Sequence, residues 1–122
     1  MIAHIVLFRP KAELTDDDLR LFTQLFRRVC VEVPGIERVR LGPVVGGGVF
    51  GGAKLGSSPY SAAAYLEFKD RQALEAYLQN PLHREFAESF WRYSEETVIA
   101  DAEMVDPKVD DLSGFLVVKP KK

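Results

Sequence analysis

The stretch LEFKDRQALEAYLQNPLHREF, Leu66 to Phe86, decides the fold because its periodicity changes twice. Its first residues close an apolar run, Ala62 to Phe68, with Tyr65 in the middle. Length and composition make that run a strand. Asp70 then stands where a carboxylate accepts the free amides of a helix start. The spacing predicts a short helix over Arg71 to Leu78, with Ala73, Leu74, Tyr77 and Leu78 on its apolar side. Asn80-Pro81 breaks it. Proline suits the first turn of another helix, whose Phe86, Phe90 and Tyr93 recur at helical spacing to about Tyr93.

Working outward, Ile2 to Phe8 reads as a strand that is apolar almost throughout. Alternation puts His4 on one face with Ile2, Val6 and Phe8, and Ile5 and Leu7 on the other. Leu14 to Val33 reads as a helix. Thr15 and Asp18 offer a variant capping box, and Leu19, Phe22, Phe26, Val29 and Val33 form the stripe. Pro34-Gly35 ends it. Ile36 to Val45 is a second strand, where Arg38 and Arg40 alternate with Val39 and Leu41. Thr97 to Val105 is a fourth. Phe115 to Val118 reads as a short added strand before the basic tail Lys119 to Lys122.

The order is β-α-β-β-α-β, an α+β, ferredoxin-like arrangement with a four-stranded antiparallel sheet and helices on one face. Residues 1–106 make one domain, and 107–122 a C-terminal extension. One sheet face is left open, yet the first and fourth strands carry apolar residues on both faces. A homodimer packed through that face is expected. If His4 points away from the helices, it faces a cavity between sheet and partner.

The run VVGGGVFGG, Val44 to Gly52, contains Gly46-x-Gly48-x-x-Gly51, the spacing of a dinucleotide-binding fingerprint. The chemistry needs a helix directly after the glycines, so that its amides hold the pyrophosphate. Here GAKLGSSPYS follows, with no periodic apolar face. Gly46 to Ser61 is instead read as a loop, a mobile connection or a rim over a pocket, to which Phe50 and Tyr60 bring apolar contacts.

The chain has 122 residues with 16 basic and 18 acidic side chains, a balance that draws it neither to nucleic acid nor to a membrane surface. Its 47% hydrophobic content suffices for a packed core. No leader or membrane span is read in it, and the single Cys30 suits a reducing compartment. A cytoplasmic protein is expected. The two histidines, with no paired cysteine and no HExxH, do not make a metal pattern. No cofactor is implied. His83 lies just beyond the Asn80-Pro81 break and Tyr77 six residues before it. A kink there can turn the two together for general base chemistry. On spacing alone, His83 reads first as a helix-packing or surface histidine. Trp91 reads as core or dimer contact.

MIAHIVLFRPK, VPGIERVRLG and YLEFKDRQALEAYLQNPLHREF together resemble the stress-responsive alpha/beta-barrel family of dimeric ferredoxin-like proteins. The resemblance covers roughly residues 2 to 105. It implies a dimeric alpha/beta barrel with a cavity in each subunit. One plant member is a polyketide cyclase that closes a linear polyketide thioester by aldol condensation. What it implies for this chain is a catalytic pair, His83 and Tyr77, and a pocket histidine at His4; beside them the pocket is expected to draw on Val6, Phe8, Phe50, Tyr60, Tyr65, Phe86 and Trp91. A small apolar or polyketide-like ligand follows. Asn80 departs from the family, which often has histidine there. The pocket histidine near the third strand is also missing. A non-catalytic ligand-binding or stress-responsive dimer, and a haem or quinol monooxygenase of the wider group, are the alternative expectations.

Overall fold

Alternating burial along Ile2–Pro10 (β1) shows which side of the first strand meets the core. The computed structural model of the chain describes residues 1–46 and 59–116. After β1 come the helix Asp16–Glu32 (α1), the strands Ile36–Pro43 (β2) and Ala62–Phe68 (β3), the helices Arg71–Gln79 (α2) and Pro81–Tyr93 (α3), and the strand Ser94–Glu103 (β4). The four strands form one antiparallel sheet in the order β2-β3-β1-β4. This is the expected ferredoxin-like arrangement.

Local chemistry sets the element ends. Thr15 accepts from the Asp18 amide at 3.1 Å, and Asp18 accepts from the Thr15 amide at 3.0 Å, the reciprocal capping box. Asp70 accepts from the Ala73 amide at 2.9 Å and starts α2. Gly35 takes φ +96°, a conformation open to glycine at little cost, and so turns the chain from α1 into β2.

Register fixes the two faces of the sheet. His4 pairs with Leu66 on one side and Asp101 on the other, and Val6 with Ala64 and Ile99. Residues directly opposite share a face. The helix-covered face therefore carries Ile2, His4, Val6, Phe8, Leu66 and Phe68, all buried. Against it pack Phe22 and Phe26 of α1 and Phe86 and Phe90 of α3. The Phe26 and Phe86 ring centroids are 4.5 Å apart, and those of Phe8 and Phe90 5.0 Å. Each ring removed from water contributes about 1.5–3 kcal/mol.

His4 thus faces the helices, not the side a partner would cover. It shares its face with the strand's other large buried residues, and β3 presents Leu66 and Phe68 to the same side. The opposite face carries Ile5, Leu7, Ala63, Tyr65, Val98, Ala100 and Ala102, and among the described residues no helix lies on it. Val98 remains 44% exposed in the single chain.

Phe115 and Leu116 lie in a bend rather than a strand, and both are exposed. The Phe115 amide donates to the Leu112 carbonyl at 3.0 Å, which closes a turn where a strand is expected. Val117, Val118 and the basic tail lie outside the described residues, as does most of the glycine-rich loop with Phe50. Among the described residues no helix is long and apolar enough to cross a membrane.

Candidate active site

Asn80 is at once the C-cap of α2 and the N-cap of α3. Its own backbone is extended (φ −63°, ψ 133°), so the helix stops. Its amide donates to the Tyr77 carbonyl at 3.2 Å, and its side chain accepts from the Leu82 amide at 2.9 Å. Pro81 has no amide to satisfy and starts α3 without cost. One residue therefore ends one helix and begins another, and the last turn of α2 meets the first turn of α3. Tyr77 and His83 come together there, with ring centroids 4.4 Å apart and planes at 54°.

The pair opens on a cavity of about 270 Å³ between sheet and helices. His4 and Val6 line it from β1, Leu66 from β3, and Ile99 and Asp101 from β4. Tyr77 and Leu78 come from α2, and His83, Phe86, Ala87, Phe90 and Trp91 from α3, while Phe26 closes it from α1. An apolar wall with a few convergent polar groups is the usual form of a small-molecule site.

His4 is buried, and its Nδ1 lies 2.5 Å from Oδ1 of Asp101. The carboxylate is an acceptor, so Nδ1 carries the proton and Nε2 is the other ring nitrogen of the pair. The His4 ring stands 6.0 Å from that of Tyr77. Nδ1 of His83 is buried and makes no hydrogen bond among the described residues. Burial lowers the pKa of His83 below the ordinary histidine value. The Leu78 carbonyl pulls the other way, and His4 adds to the lowering. Tyr77 is pushed well up, chiefly by burial and secondarily by Cys30. At neutral pH the site therefore offers a neutral imidazole beside a phenol that keeps its proton. The first can accept a proton, and the second can donate a hydrogen bond to a developing oxyanion.

Of the residues singled out from the sequence, the fold gathers His4, Val6, Tyr77, His83, Phe86 and Trp91 around this cavity. Phe8 sits beside it in the core, against Phe22 and Phe90. Tyr65 is on the opposite face of the sheet, where its hydroxyl donates to Glu67 at 2.8 Å, because β3 alternates and Leu66 takes the cavity side. Tyr60 is half-buried just before β3 and is not part of the cavity wall. Trp91 stands at the rim and is 58% exposed, so it is neither core nor fully covered.

Asp101 is the polar residue that sequence reasoning missed. It stands in VIADAEM, where it reads as one charge in a strand of mixed polarity. Its signal is the register alone: the β1–β4 pairing sets it directly opposite His4.

Solved structures with this fold include three that bear on the chain. A hydroxynitrile lyase from Passiflora edulis is 16% identical over 86% of this chain and 94% of its own, with a TM-score of 0.70. A ferredoxin-like Dabb family protein from Mesorhizobium loti is 18% identical over 86% and 97%, with a TM-score of 0.69. A dimeric ferredoxin-like protein of unknown function from Jannaschia sp. is 22% identical over 84% and 98%, with a TM-score of 0.67. No curated protein sequence matches the chain. The family model for the stress responsive A/B barrel domain matches residues 2–104, which takes in all four strands, all three helices and every residue of the cavity wall, and the chain belongs to that family.

Proposed function

We propose that the chain is a homodimeric, polyketide cyclase-like enzyme of the lyase type, which moves a proton beside a carbonyl of a small, mainly apolar substrate. The observation that carries this reading is the Tyr77–His83 pair on the cavity wall, one ring neutral through burial and the other holding its proton. His83 takes the proton from the carbon next to the carbonyl. The electron pair of the broken C–H bond moves into the enolate, and the negative charge falls on oxygen. The Tyr77 hydroxyl donates a hydrogen bond to that oxygen. The enolate carbon then attacks a second carbonyl of the same molecule, and the imidazolium returns the proton to the new alkoxide. Bond formed and proton moved balance without an outside reagent. His4, held by Asp101, presents a second polar ring to the substrate.

The uncovered sheet face supports the dimer. Ile5, Leu7, Val98 and Ala100 form an apolar surface on it, and proteins of the same fold are described as dimeric.

The test is proton–deuterium exchange, followed by NMR in heavy water, at the α-carbon of aryl methyl ketones and of linear polyketide thioesters. Wild-type protein is expected to speed exchange, and His83→Gln to lose the acceleration. Ketones that bind without exchanging would instead mark a ligand-binding dimer with no catalysis.

A further inference from the structure

A second cleft, of about 310 Å³, adjoins the catalytic cavity. Leu78 and Asp101 belong to both walls. The cleft's floor is apolar, from Ile2 and Leu74, and its sides carry Arg71, Glu75, Asp101 and Glu103. Arg71 and Glu75 are four residues apart on α2 and share a helix face, so the cleft wall sets one cation against three carboxylates. Asp101 and Glu103 lie two apart on β4, opposite His4 and Ile2, and so point to the same side. Their backbones are about 7 Å apart at the strand rise, a separation that one organic cation can span.

The two carboxylates differ in what they already do. Asp101 uses Oδ1 for His4, while Glu103 makes no salt bridge among the described residues. The cleft therefore holds more negative than positive charge, directly beside an apolar cavity whose buried His83 Nδ1 has no hydrogen-bond partner among the described residues. We infer that the two hollows are halves of one binding site, and that its ligand joins an apolar carbonyl-bearing head to a tail ending in an ammonium or similar cation. The head lies among Phe86, Phe90 and His83. The tail passes Leu78 and ends between Asp101 and Glu103. This rests on the proposed function only for the identity of the reacting head; recognition of the tail stands on the cleft itself.

Calorimetric titration of the intact protein with phenylbutylamine, phenylbutanol and phenylbutyrate tests it. The three share one apolar head and differ in the terminal charge. The amine is expected to bind about tenfold more tightly than the alcohol, and the butyrate more weakly than either, with a gap that narrows in salt. Glu103→Gln should cost the amine several-fold and leave the alcohol unchanged. Glu103→Lys should reverse the order of amine and butyrate. Glu103 is exposed, so both variants are expected to fold. Binding of butyrate as tight as that of amine, an order unchanged by Glu103→Lys, or no binding by any of the three would overturn the inference. His83→Gln should leave the amine preference intact, so failed turnover and failed tail recognition are read separately.

Discussion

Tyr77 and His83 are six residues apart in sequence, belong to different helices, and still set their rings 4.4 Å apart. A continuous helix would place them about 600° apart around its axis and roughly 9 Å along it. The junction at Asn80 removes that separation. The site is therefore a product of a helix break, and the break is made by one side chain and one proline.

That dependence makes Asn80→Ala informative. Alanine cannot accept the Leu82 amide, and loss of such a cap costs about 1 kcal/mol. Denaturant unfolding should show that loss. Activity should fall further than stability explains, since a small shift of α3 moves His83 away from Tyr77. Asn80→Asp, which keeps the acceptor, should restore both.

His83→Gln and Tyr77→Phe separate base from donor. Removing the base is expected to lower kcat by about 10²–10⁴-fold, and removing the hydroxyl by about 10²-fold. Stability should respond far less than activity at His83. Its Nδ1 is buried without a hydrogen bond among the described residues, while the Leu78 carbonyl holds the ring from its other side, so His83→Phe removes one unpaired polar atom along with one hydrogen bond and should unfold at nearly the wild-type urea concentration. A variant as resistant to urea as wild type but inactive would show that the histidine is kept for chemistry.

The lowered pKa of His83 has a pH signature with a definite sign. Burial depresses the folded-state value below the unfolded one. Between the two, the unfolded chain binds more protons, so stability rises with pH there. The contribution is complete above the unfolded value of about 6.5 and is lost as pH falls through the folded value. Urea midpoints measured on descending from neutral pH should drop for wild type and drop less for His83→Gln. The acid limb of kcat/KM should likewise fall below the ordinary histidine range.

The residues of this pair were legible in the sequence because a helix stop is a local event. Asp70, Asn80 and Pro81 announce their roles within a few positions, and the apolar stripes of α1 and α3 follow helical spacing. The orientation of His4 was not. Alternation states which residues share a face but not which face the helices cover, and β1 is apolar on both. Tyr65, expected in the pocket where the family has a histidine, falls on the far face because β3 alternates and its neighbour Leu66 takes the cavity side. Asp101 escaped because only strand pairing joins it to His4, 97 residues away.

Asp101 gives a further prediction through that contact. Asp101→Asn keeps an oxygen that accepts from His4 Nδ1 and should preserve the fold. Asp101→Leu leaves the nitrogen of a buried ring unpaired, at a cost of about 1–3 kcal/mol. Thermal denaturation should separate the two variants clearly, with the leucine variant the less stable.

The open sheet face supplies the last prediction. Leu7 and Val98 stand directly opposite each other on β1 and β4, on the side that no helix of the described residues covers. A second copy packed there would bury about 800 Å² per partner if it made an interface of standard size. A carboxylate placed in such an interface must either stay hydrated, which holds the subunits apart, or lose water without a partner, which costs several kcal/mol. Leu7→Asp is therefore expected to shift sedimentation from dimer to monomer at micromolar concentration. Val31 is 75% exposed on α1, away from this face, and Val31→Asp should remain dimeric. Because the cavity lies between the sheet and its own helices, a monomeric Leu7→Asp should still bind the amine probe. Loss of binding together with loss of the dimer would mean that the partner completes the cavity wall.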